Sequence, residues 1–152
     1  MNKDKDLLLK YLCMALPYGV ICKCYHPEFD EWDGRPFVAK YNDTLENIGV
    51  SGVSLAGGFS YEIDEIKPYL RPMSSMTEEE KEEMHNLLSP EGTAIYGYDG
   101  ISMPMNHYGE FVSYNFMSNI IHYLLEHHFD FMGLILKDLA IEVTKSNNPY
   151  KD

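Results

Sequence analysis

The stretch EIKPYLRPMSSMTEEEKEEM, residues 65–84, restricts the fold more tightly than any other part of the chain. Pro68 and Pro72 fix their own φ and push Lys67 and Arg71 out of the α region, so KPYLRP must be extended. Its prolines are spaced P-x-x-x-P, not the P-x-x-P of a polyproline ligand, and bulky Tyr69 and Leu70 stand between them. Those two residues read as anchors that pin the segment to its own domain. Directly afterwards, Thr77 and Glu80 carry capping-box spacing, and Glu78 and Glu79 fall in a first turn where the helix dipole favours anions. Met84, Leu87 and Leu88 make a narrow apolar stripe, Glu79, Glu82 and Glu83 face water, and Ser89-Pro90 ends the helix. The segment is thus a pinned crossover from sheet to helix, with a partner-docking motif as the alternative reading.

Upstream, Leu8, Tyr11, Leu12, Ala15 and Leu16 recur at helical spacing over residues 4–16, and Pro17 and Gly19 stop that helix. VICKCYH then alternates, with Val20, Cys22 and Cys24 on one face and Ile21, Lys23 and Tyr25 on the other. PEFDEWDGRP reads as a loop with a turn at Asp33-Gly34, PFVAKY as the next strand, and IGVSGVSLAGGFSYEI as one or two more, with Gly57-Gly58 a turn or bulge. Downstream, TAIYGY is a candidate edge strand. Residues 110–128 read as the longest helix, with Phe116, Met117, Ile120, Ile121, Leu124 and Leu125 on one side. FMGLILKDLAIEV supplies a short helical turn and a closing strand.

The expected fold is a single α+β domain over residues 1–152. A helix-plus-sheet part, 1–76, contains a small bent antiparallel sheet resembling an SH3-like partial barrel, and a mainly helical part covers 77–152. With 152 residues and 45% hydrophobic side chains, the chain can bury a core without staples. Its net charge of −12 is uneven: residues 1–76 carry 11 acids against 8 bases, and residues 77–152 carry 13 against 4. That balance argues against direct nucleic-acid binding, which needs clustered Lys and Arg. It suits solubility, a basic protein partner, or an inhibitor that mimics nucleic acid. No apolar run reaches the ~20 residues of a membrane span. Three cysteines, Cys13, Cys22 and Cys24, do not make a disulfide framework, so a reducing cytoplasmic setting is expected.

Two clusters could carry chemistry. In HYLLEHHFD, His122 and Glu126 share a helix face four residues apart, followed by His127, His128 and Asp130. His122, Glu126, His128 and Asp130 are the candidates for a small metal-dependent enzyme, although the spacing is neither H-E-x-x-H nor H-x-x-E-H. The competing explanation is that histidines suit the negative end of a helix dipole. Cys22, Cys24, His26 and Cys13 offer soft ligands, yet a zinc site normally shows a second similar pair, and buried thiols are the plainer reading. No cofactor-binding motif occurs, and no cofactor or metal is expected. Trp32, in a loop beside Glu31 and Asp33, is a candidate partner anchor, alongside Glu79, Glu82 and Glu83.

The blocks EIDEIKPYLRPMSSMTEEEKEEM and HHFDFMGLILKDLAIEV, together with LPYGVICK, resemble a family of small proteins of phages and mobile elements in gut bacteria. Phe131-Met132 stands where that family often has Tyr-Arg, and Lys137-Asp138 where it often has Lys-Gly, so no role of that arginine carries over. The resemblance implies a provenance and no activity. The sequence thus leads to a non-enzymatic accessory protein that binds another protein.

Overall fold

The computed structural model describes residues 2–29, 36–49, 52–58, 60–88, 96–97, 100–101 and 114–151, with side-chain detail at 2–25, 42–49, 52–58, 60–87 and 118–151. In chain order the described elements are α1 (Lys3–Ala15), β1 (Ile21–Phe29), β2 (Pro36–Gly49), β3 (Gly52–Leu55), β4 (Ser60–Tyr61), β5 (Ile66–Pro72), α2 (Glu78–Leu88), β6 (Tyr96–Gly97), β7 (Gly100–Ile101), α3 (Tyr114–Glu126), β8 (Phe129–Asp130) and β9 (Ile141–Glu142). The architecture is α+β. The chain divides into two compact units, one formed by residues 1–70 with 134–152 and the other by 71–133.

In the first unit, Asn2 caps α1 by accepting the Asp4 N–H at 3.1 Å, and Asp4 and Asp6 occupy the dipole-favoured first turn. Leu8, Tyr11, Leu12 and Ala15 are buried, as the spacing requires. Leu16 leaves the α-helix for a 3₁₀ turn, Leu16–Tyr18, which Gly19 terminates at φ 65°. β1 follows the expected alternation: Cys22 and Cys24 are fully buried, while Lys23 and Tyr25 are partly exposed.

The strands exceed their sequence-based bounds. β1 continues through Pro27 to Phe29, into the expected loop. It pairs with β5 only over Cys22–Cys24, so beyond that point it can tolerate a residue with no N–H to donate. β2 runs well past Tyr41, because a register shift between Leu45 and Asn47 bends it and lets one strand serve both β1 and β3. Gly52, at φ 145°, is where β3 passes β4: a Cβ there would stand 2.5 Å from the Tyr61 carbonyl oxygen. Trp32 and Asp33-Gly34 lie outside the described residues.

The strands β4–β3–β2–β1–β5 are antiparallel neighbours, but β9 pairs parallel with Tyr69 and Leu70 of β5. The sheet is therefore mixed, not purely antiparallel as expected. Parallel neighbours need a crossover of a dozen or more residues, and the chain between β5 and β9 supplies one.

In the second unit, β8 pairs parallel with Arg71 and Pro72, and the Arg71 N–H donates to the His128 carbonyl at 2.8 Å. Met76, Met84, Ile120, Tyr123, Leu124 and Phe129 form its core, with Met73, Leu87 and Phe131 packed around it. Tyr96–Gly97 pairs with Gly100–Ile101, which places a short strand within TAIYGY. The described helix α3 is no longer than α1, and residues 110–113 lie outside the description. It ends at Glu126 because His128 turns left-handed, at φ 59°, with its N–H bonded to the Leu125 carbonyl. Among the described residues no helix is long and apolar enough to cross a membrane.

Candidate functional site

The polar side chains of the second unit converge where β5 hands the chain to α2. Pro72 holds the strand extended, and a 3₁₀ turn, Met73–Ser75, redirects it. The expected capping box is present: Glu80 N–H donates to the Thr77 hydroxyl at 3.2 Å, and Thr77 N–H donates to Glu80 Oε2 at 2.9 Å. Glu80 is thereby fixed with both oxygens toward Arg71, whose Nη1 and Nη2 donate to Oε1 and Oε2 at 2.7 and 2.9 Å. The guanidinium also donates to the Ser75 carbonyl at 3.3 Å and lies 4.2 Å from the centre of the Phe129 ring. This fork-to-carboxylate pair, stacked on an aromatic face, is geometry that lysine cannot reproduce.

The network continues along α3. His127 Nδ1 stands 3.8 Å from Glu80 Oε1, and the His127 ring stacks on Tyr123 with centroids 4.3 Å apart. The Tyr123 hydroxyl donates to Glu83 Oε2 at 2.7 Å. Two carboxylates three residues apart on α2 therefore meet an aromatic pair four residues apart at the end of α3, Tyr123 in the helix and His127 just after it. These are the spacings at which helix side chains share a face. Glu83 is exposed, as expected, and in addition accepts this bond from α3.

Burial opposes ionisation of Glu80, but the Arg71 bond, the Thr77 N–H and the neighbouring charges outweigh it and hold the carboxyl below its usual range. Burial, reinforced by the bond to Glu83, pushes the Tyr123 phenol up, so it stays a donor. Burial also pushes His128 down to about 4, helped by His127 and Arg71. At neutral pH His128 is uncharged, so dipole compensation does not explain this histidine.

The other sequence candidates are placed as follows. His122 and Glu126 are exposed on α3, and Asp130 is buried in β8. His127 faces Tyr123 and Glu80, and His128 occupies the left-handed position after the helix. Among the described residues no three His, Cys, Asp or Glu side chains gather as metal ligands would. Cys22 and Cys24 are buried and Cys13 is exposed. Burial raises both buried thiols, Cys24 to about 11 and Cys22 further, so neither is a thiolate at neutral pH. The His26 side chain lies outside the description.

Sequence reasoning missed Arg71, Glu80 and Tyr123 as one network. Arg71 beside a fixed proline, nine residues before a capping-box glutamate, was the available signal; Tyr123 carried none. On the outer surface of α2, Glu79 and Glu82 are exposed and enter no hydrogen bond or ion pair among the described residues, while Glu78 pairs with Lys81 at 2.6 Å. No protein-family model, curated protein or solved structure matches the chain.

Proposed function

We propose that this is a non-enzymatic accessory protein of a phage or mobile element that acts by binding a basic surface of another protein. The observation that carries the reading is the division of labour among the glutamates of α2. Glu80 and Glu83 are committed to Arg71, Thr77 and Tyr123, and they lock the helix in place. Glu79 and Glu82 project from that locked helix into water. Because the helix that carries them is already fixed, binding has to order only these two side chains, and their charge supplies on-rate and selectivity. The phage provenance rests on the sequence blocks quoted above, and the acidic excess of residues 77–152 favours a basic partner.

The test compares affinity capture from infected or lysogenic cells by the natural protein and by a Glu79→Gln, Glu82→Gln double variant. An unchanged melting temperature with loss of the captured partner supports the reading. Retention of every partner contradicts it.

A further inference from the structure

The segment 144–151, within the first unit, reaches the β1–β5 ladder with the Tyr150 phenol, at a place where the sheet is missing a rung. β1 and β5 are paired in antiparallel register at Cys24↔Ile66, Lys23↔Lys67 and Cys22↔Pro68. Hydrogen-bonded pairs alternate along such a ladder, and Pro68 has no N–H to give. Lys23↔Lys67 is therefore the bonded pair, and the next bonded rung would join Ile21 to Tyr69. The chain does not close that rung directly. Instead the Tyr150 hydroxyl accepts the Ile21 N–H at 3.1 Å and donates to the Tyr69 carbonyl at 2.8 Å. The side chain is inserted into the ladder where a backbone bond belongs.

The strands part here for a reason. At Tyr69, β5 changes partner and begins pairing with β9, while the Tyr69 hydroxyl donates to Asn42 Oδ1 at 3.0 Å. The segment that carries Tyr150 is shaped by its own side chains. Thr144 N–H donates to Asn147 Oδ1 at 2.6 Å, Asn147 Nδ2 donates to the Glu142 carbonyl at 2.9 Å, and Tyr150 N–H donates to Asn148 Oδ1 at 2.9 Å. Ser146 and Asn147 are exposed, as is Lys151. A segment with few buried apolar side chains opens at lower free energy than the sheet beneath it.

We infer that residues 144–151 form a detachable strap whose clasp is the Tyr150 hydroxyl, seated between the Ile21 N–H and the Tyr69 carbonyl. Clasped, the strap holds β1 and β5 one hydroxyl apart. Released, it uncovers one donor and one acceptor at the point where β5 changes partners, and those groups can bond to each other, to water or to a hydroxyl of an incoming partner. The strap is independent of the acidic face of α2.

Amide hydrogen exchange of the full chain tests this. In the natural protein the Ile21 amide should exchange together with that of Tyr150, at least about ten-fold faster than the Lys23 amide two residues along the same strand. Tyr150→Phe, which keeps the ring and removes the clasp, should raise Ile21 exchange about ten-fold or more and leave Lys23 within about two-fold. Ile21 exchanging at the rate of the sheet core in the natural protein would overturn the strap, and that comparison stands even if the variant does not fold. An Ile21 rate unmoved by Tyr150→Phe would overturn the clasp.

Discussion

His128 combines two properties that rarely meet in one residue. Its backbone is left-handed, a conformation that glycine and asparagine adopt more readily than histidine. Its imidazole is pushed from 6.5 down to about 4 by burial and nearby cations. As pH falls from 6.5 toward 4, the unfolded chain takes up a proton that the folded chain refuses, so the stability present above 6.5 is progressively lost. His128→Asn suits the backbone and removes the titration. A series of thermal melts should show the variant losing less stability than the natural protein across that window; parallel curves would contradict the assignment. Glu80 titrates in the same sense but lower. Its contribution is complete above the ordinary 4.5 and is lost as pH falls through its depressed folded value. Arg71→Lys keeps the charge and loses the fork and the stacking on Phe129, which should cost about 2 kcal/mol at neutral pH. The difference between the two proteins should shrink in acid, as Glu80 is protonated.

At the scale of elements, β5 and α2 were the most legible parts of the chain because local chemistry dictates both. Two prolines leave KPYLRP no option but extension, and Thr77 with Glu80 defines a helix start whatever surrounds it. The anchors are where they were expected: Tyr69 is 4% exposed and Leu70 fully buried. Tyr69→Ala should cost about 3–5 kcal/mol, and Tyr69→Phe, which loses only the bond to Asn42, about 1 kcal/mol. Both are read from denaturant unfolding; an alanine variant as stable as the natural protein would remove β5 from the core. What the sequence did not disclose depends on distant partners. β8 is two residues long and has no strand signature of its own, whereas β9 is the expected closing strand, and only its partner and direction were hidden. Their parallel pairing with β5 arises only after the chain has returned through α3. The bulge near Glu46 was equally silent, since it follows from the need of β2 to serve two neighbours. The same holds for the polar network. Capping fixed Glu80, but its meeting with His127, and that of Glu83 with Tyr123, is set by the packing of α2 on α3.

Across the whole molecule the dominant quantity is charge. A net −12 is far from what solubility alone demands of a small domain, and residues 77–152 carry −9 of it. Much of the acid in α2 is neutralised locally, by Arg71 at Glu80 and by Lys81 at Glu78. Exposed pairs such as Lys81–Glu78 contribute little to stability, so the outer glutamates are spare as far as folding is concerned. That surplus is the core of the functional proposal, and it makes a quantitative demand on the partner once captured. Attraction between exposed charges is screened over about 8 Å at physiological salt, so an interface that relies on Glu79 and Glu82 must weaken as salt rises. The decisive measurement is the dissociation constant for that partner between about 50 and 500 mM salt, for the natural protein and for the Glu79→Gln, Glu82→Gln variant. A steep loss of affinity with salt is expected for the natural protein, and weaker, flatter binding for the variant. Superimposable curves for the two proteins would contradict it.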